Sequence, residues 1–116
     1  MGCVETPPHT VAETAAFQAP AAKAGMTEAE IEAAVLQIAA DPEAGDLIVG
    51  SGGVRKVRAA RQGGGKSGGY RIAAAFLNDR KPVYLLWVLS KGEAANFTAE
   101  QIAAMKTMMD RLKKLP

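Results

Sequence analysis

The sequence has little of what most catalytic centres and covalent cross-links are built from. It contains one cysteine, one histidine and one tryptophan, and aromatic residues make up 5% of its 116 residues. Cys3 cannot form a disulfide within the chain, so we expect a reducing, cytoplasmic location. Cysteine and histidine are too few for a zinc site, and a single histidine gives little support for Ser-His or Cys-His catalysis. If the protein carries out chemistry, Lys and Arg must supply it.

Long hydrophobic runs are also absent. The longest apolar stretches, residues 72–77 and 83–89, are far shorter than the roughly 18 residues that a membrane-spanning helix needs. A chain of this length with 48% apolar residues can bury one core without metals or disulfides. We therefore expect a flexible N-terminus over residues 1–8 and a single domain over residues 9–116, with no membrane partner.

Charge is distributed unevenly along the chain. Residues 1–46 hold eight acids and one base, a net charge of −7, and residues 47–116 hold 13 bases and four acids, a net charge of +9. No acid lies between Asp46 and Asp79. The bases that fall close together in this stretch are Arg55, Lys56, Arg58, Arg61, Lys66 and Arg71. The pattern favours a polyanionic partner.

Three helices are indicated by their start signals and apolar spacing. Thr27 and Thr98 each stand three residues before a Glu or Gln, which is the spacing of a capping box. A shorter helix over residues 14–23 precedes the first box, and we expect these two helices to form an αα-hairpin turned at Gly25. The last helix carries an apolar stripe of Ile102, Met105, Met109 and Leu112. Such a stripe is more often core than a partner-binding face.

Between the helices the apolar period changes to that of strands. Residues 54–59, 69–77 and 83–89 are short, apolar or alternating, and bounded by Gly, Asn-Asp or Pro. Residues 78–81 have the length of a hairpin connection, and residues 9–13 can add a short edge strand. The predicted fold class is α+β, with an N-terminal helical hairpin and a C-terminal helix packed on an antiparallel sheet of three to four strands.

One glycine-rich segment partly matches the sequence motif of a nucleotide-binding loop. Gly65-Lys66-Ser67 matches the end of a P-loop, but Ala60 occupies the position where that motif requires glycine. The following segment is predicted as a strand and not as a helix. The motif therefore does not indicate nucleotide triphosphate hydrolysis.

The predicted strands bring cations together. Because side chains alternate along a strand, Lys56 and Arg58 project together, with Val57 on the other face. Arg71 begins the adjacent strand and Lys91 ends the third. Converging ammonium and guanidinium groups can hold a phosphate and stabilise the extra negative charge of a phosphorane-like transition state. A solvated basic face is the alternative for any one of these residues.

Two motifs together carry a family resemblance. They are Gly52-Gly53-Val54-Arg55-Lys56-Val57-Arg58 and Gly65-Lys66-Ser67-Gly68-Gly69-Tyr70-Arg71, followed by Ser90-Lys91-Gly92-Glu93 after the third strand. Over residues 9–114 the sequence resembles the RelE/ParE superfamily of bacterial type II toxins, most closely the HigB-like branch of RelE-type toxins. The resemblance implies helices packed on a curved antiparallel sheet.

The resemblance also implies an activity. RelE-type toxins cut messenger RNA in the ribosomal A site without a metal or cofactor, by attack of the 2′-hydroxyl on the neighbouring phosphate. The implied partners are a cognate antitoxin, the ribosome and mRNA, and we expect the free toxin to be a monomer. Such a reaction suits a site of cations, because the nucleophile is intramolecular and positioning supplies much of the barrier reduction.

The site that the resemblance implies consists of Lys and Arg. By position, Lys56 is the candidate general base, and Arg58 and Arg71 hold the scissile phosphate. The further assignments are Lys66 and Lys91 as supporting catalytic groups, and Arg55 and Arg61 as contacts to the RNA backbone.

Two other functions stay open at this point. One is a ParE-like toxin that inhibits gyrase by binding, and the other is an inactive relative that binds an antitoxin or RNA. RelE has a further arginine and a tyrosine after its last strand, whereas residues 91–98 here contain neither. Base stacking and proton donation to the leaving oxygen are therefore unassigned.

Overall fold

The computed structural model describes residues 9–61, 69–90 and 96–115. Eight elements follow one another along the chain. They are β1 (Val11–Glu13), α1 (Ala15–Ala24), α2 (Glu28–Ala40), β2 (Asp46–Leu47), β3 (Val54–Ala59), β4 (Tyr70–Ala75), β5 (Val83–Ser90) and α3 (Ala99–Lys113). The expected flexible terminus over residues 1–8 lies outside the described residues.

The helices begin where the capping motifs predicted. Thr27 is the N-cap of α2 and Thr98 that of α3, and both capping boxes have both of their hydrogen bonds. Gly25 ends α1 in the left-handed conformation, at φ +80°. The expected helical hairpin differs in packing, because α1 lies along β5 while α2 contacts β1. Within the described parts of the chain, no helix is long and apolar enough to cross a membrane.

The sheet has five strands in the order β1-β5-β4-β3-β2. Strands β3, β4 and β5 pair antiparallel, as predicted. The prediction of three to four antiparallel strands is wrong in two respects, because β2 adds a fifth strand and β1 pairs parallel with β5. β2 is two residues long, too short to show a period of two, and the parallel pairing joins strands far apart in sequence.

Helices cover both faces of the sheet, and each face has its own core. On one face Phe17 of α1 and Ile38 of α2 pack with Ile72 and Leu85 of the sheet. On the other face the predicted stripe of α3 packs with Val54, Ala73 and Leu86 through Met105 and Met109, which are 0% and 2% exposed. The stripe is therefore core, as predicted, and β5 is buried on both sides.

Candidate functional site

The antiparallel pairing of β3 with β4 brings three cations into one row. Arg58 lies directly opposite Arg71, and Lys56 lies opposite Ala73, two residues from Arg58 on the same strand. Directly opposite residues share a face of the sheet, so Lys56, Arg58 and Arg71 all project from the face that α3 covers in part. We call these three residues the cation row. The sequence analysis placed Lys56 and Arg58 on one face of their strand with Arg71 on the adjacent strand, as the register has them; Lys91, which it expected there too, lies outside the described residues.

The three side chains of the cation row differ in exposure, because α3 packs beside the start of β3 and also against Leu89, which lies opposite Arg71 on β5. Met109 of α3 packs beside Gly52 and Gly53, just before β3 begins, and the Lys113 ammonium donates a hydrogen bond to the Gly52 carbonyl at 3.2 Å. Arg58 is four residues beyond Val54, or roughly 13 Å along the strand. Arg58 is accordingly exposed, and Arg71 is half-buried.

The cation row places two like charges at directly opposite positions on neighbouring strands. Like charges on directly opposite residues of an antiparallel pair destabilise the sheet, and Arg58 and Arg71 occupy such positions. An anion between the two guanidinium groups would replace this repulsion with two sets of charge-assisted hydrogen bonds. The arrangement can therefore hold a phosphate group.

Asp46 is a site residue that the sequence did not place. The strand β2 puts Asp46 directly opposite Lys56. The close approach of the two strands depends on Gly45, at φ +93°, where a Cβ would collide with the Lys56 carbonyl. β2 has only two residues, which is too few to show the alternating period of a strand, so no sequence signal pointed to this pairing.

Asn96 is the second residue that the sequence did not identify. The Lys56 ammonium donates a hydrogen bond to Asn96 Oδ1 at 3.2 Å. Asn96 lies two residues before the N-cap of α3, so the start of this helix fixes where the amide stands. The contact holds the Lys56 ammonium beside Asn96.

The remaining predicted site residues are not part of the cation row. Arg55 projects from the opposite face of β3, and its Nη1 donates to the Gly45 carbonyl at 3.1 Å. Arg61 is exposed beyond the end of β3, on the side of Tyr70. Lys66 and Lys91 lie outside the described residues.

A buried hydrogen bond anchors the start of β4 beside the cation row. The Tyr70 hydroxyl donates to Glu30 Oε1 at 3.0 Å, and the same carboxylate oxygen accepts from the Thr27 backbone N–H at 2.9 Å. Tyr70 is 0% exposed and Glu30 is 3% exposed. Burial raises the pKa of Tyr70 above its ordinary value, and the hydrogen bond and charge of Glu30 raise it further, against a small lowering by Arg61. This hydrogen bond lies on the opposite face of the sheet and fixes the backbone next to Arg71.

Carboxylate, imidazole and thiol groups do not assemble into a metal site in the parts of the chain that the structure describes. Among those residues, no three His, Cys, Asp or Glu side chains are grouped closely enough to hold a metal ion. The groups that converge are cationic or amide side chains around Lys56, with one carboxylate at Asp46.

A small α+β domain with a row of cations on one sheet face has the features expected of a protein that binds polyanions. The family model described as the RelE toxin of the RelE/RelB toxin–antitoxin system matches residues 10–116. The chain therefore belongs to the RelE toxin family. It is a toxin of a toxin–antitoxin system and has an antitoxin as partner, and toxins of this family are generally ribonucleases.

Proposed function

We propose that this toxin is a ribosome-dependent messenger RNA endoribonuclease of the HigB-like branch, acting in the cytoplasm without a metal. The observation that carries the proposal is the cross-strand pair of Arg58 and Arg71, with Lys56 on the same face. Two arginines at directly opposite strand positions have no structural advantage of their own, whereas their guanidinium groups can match the oxygens of one phosphodiester.

In the proposed reaction the RNA supplies its own nucleophile. The 2′-oxygen attacks the adjacent phosphorus, the bond from phosphorus to the 5′-oxygen breaks, and the products are a 2′,3′-cyclic phosphate and a 5′-hydroxyl. The neutral amine form of Lys56 takes the proton of the 2′-hydroxyl and becomes an ammonium group, and a proton must reach the leaving 5′-oxygen from a donor that we do not assign. Because the attack is intramolecular, holding the phosphodiester in line supplies much of the rate acceleration.

Arg58 and Arg71 act on the phosphate during this step. Their planar forks bind nonbridging oxygens bidentately, and they stabilise the additional negative charge that develops on those oxygens. Lys66 and Lys91 are proposed as supporting groups. Arg55 and Arg61, which lie away from the cation row, are proposed to contact RNA backbone farther from the cut.

The test is to induce the toxin in growing cells and to map the 5′ ends of messenger RNA. We expect cuts in register with codons, which disappear in Arg71→Ala and persist in Arg80→Ala, a matched loss of one exposed arginine in the connection before β5. DNA damage without new 5′ ends would favour gyrase inhibition. Growth arrest with neither effect would contradict both proposals.

A further inference from the structure

A groove of about 270 Å³ opens beside the cation row, at Lys56. Its polar lining comes from Asp46, Lys56 and Asn96, and its apolar lining includes Ile48, Phe97 and Ile102. Lys56 belongs to both the groove and the cation row. A strand of RNA whose phosphate lies between Arg58 and Arg71 therefore has this groove about 7 Å away, the spacing of alternate residues on a strand.

The polar groups of the groove have a defined pattern of donors and acceptors. Asn96 Oδ1 accepts from the Lys56 ammonium, which turns the Asn96 NH₂ group, a donor, away from Lys56. Asp46 is directly opposite Lys56 and lines the groove, so its carboxylate offers two acceptors. A carboxylate repels phosphate, and the groove therefore suits the base of a nucleotide better than its backbone.

We propose that the groove binds a guanine base of the RNA strand held by the cation row, an inference that rests on the proposed function. Guanine presents two adjacent donors, N1–H and N2–H₂, which match the two oxygens of Asp46, and its O6 accepts from the Asn96 amide. Adenine and cytosine each turn a ring-nitrogen acceptor toward the carboxylate, and uracil flanks its one N–H with carbonyl oxygens. The flat ring lies against the apolar side chains of Phe97 and Ile102.

The rim of the groove adds to the apolar contact that a base can make. Leu47 is 60% exposed and Val49 is 92% exposed, and both line the groove. A bound base would cover part of these side chains. This contact is independent of base type, so the preference for guanine depends on Asp46 and Asn96.

The experiment measures binding of the full chain to fluorescently labelled uridine oligonucleotides that carry a single central G, A or C. We expect the G-containing RNA to bind about tenfold more tightly than the other two, the discrimination typical of one bidentate pair. Asp46→Asn should bring the G-to-A affinity ratio to within about twofold, because an amide cannot accept from both guanine donors. Asp79→Asn, which makes the same change in net charge at an exposed residue near the β4–β5 connection, should keep the full ratio.

The outcomes separate this inference from the proposed function. If the wild-type protein binds all three RNAs equally, or if Asp46→Asn keeps the guanine preference, the base assignment is wrong even though cation-row binding stands. If messenger RNA is cut with no enrichment of guanine near the cut, the same conclusion follows and the ribonuclease proposal survives. An Asp46→Asn toxin with unchanged base preference that escapes its antitoxin would assign the groove to the protein partner, against our inference.

Discussion

The facing arginines make a prediction about stability that is opposite to the usual effect of mutation. Directly opposite residues have Cβ atoms about 5 Å apart, and two unit charges at that separation would repel by about 0.8 kcal/mol in water and by about 3 kcal/mol at an effective dielectric constant of 20; these are upper limits, because the guanidinium groups stand at the ends of long side chains. Arg58 is exposed and Arg71 half-buried, which places the pair near the lower of these two values. We therefore expect a repulsive coupling of about 0.5–1 kcal/mol between them.

The measurement is a double-mutant cycle of Arg58→Gln, Arg71→Gln and the double variant, by urea unfolding at low salt. Either single variant should relieve the repulsion, so the second substitution should gain less than the first. The coupling should nearly vanish in 1 M salt, where the screening length is about 3 Å. A cycle of Arg58→Gln with Arg80→Gln serves as the control. A coupling of zero at low salt, or an attractive one, would refute the reasoning.

Other predictions concern the elements that hold the cation row in place. Tyr70→Phe should lower the free energy of unfolding by about 2 kcal/mol, because it removes a hydrogen bond to a buried carboxylate. The control Tyr84→Phe on β5 should change it by under about 0.5 kcal/mol. Urea titration measures both values. Because the pKa of Tyr70 is raised in the folded state, its stabilisation is complete below pH 10 and is lost as pH rises through the folded pKa. Wild-type stability should therefore fall above pH 10 more than that of Tyr70→Phe, and parallel curves would contradict this. Gly45→Ala should lower the free energy of unfolding by about 3 kcal/mol or more, because its Cβ meets a β3 carbonyl. Gly25→Ala, with a similar φ and open space around it, should lower it by about 1 kcal/mol. Equal losses in the two variants would show that a shift of β2 relieves the collision.

Local sequence chemistry predicted the elements that carry strong local signals. The two capping boxes fixed the starts of α2 and α3, because their hydrogen bonds lie within four consecutive residues. The bounds of β3 were predicted without error, since its flanks change composition sharply. Alternation on that strand put Lys56 and Arg58 on one face, and the expectation that the next strand lies beside it brought Arg71 near them.

Long-range pairing could not be predicted in the same way. The parallel contact of β1 with β5 joins Val11 to Val83, and nothing in either segment specifies the direction of its neighbour. β2 has two residues and no periodicity, so the sequence did not place Asp46 beside Lys56. The contact between Lys56 and Asn96 depends on where α3 packs on the sheet. That position is set by the packing of the core and not by local sequence.

The salt dependence of RNA binding tests the central claim most directly. If the cation row holds a phosphodiester, the slope of log Kd against log salt concentration for a single-stranded RNA should fall by about 0.7 in each of Lys56→Gln, Arg58→Gln and Arg71→Gln. Arg80→Gln should leave the slope unchanged. Slopes that are identical in all four variants and the wild-type protein would show that the phosphate is held elsewhere.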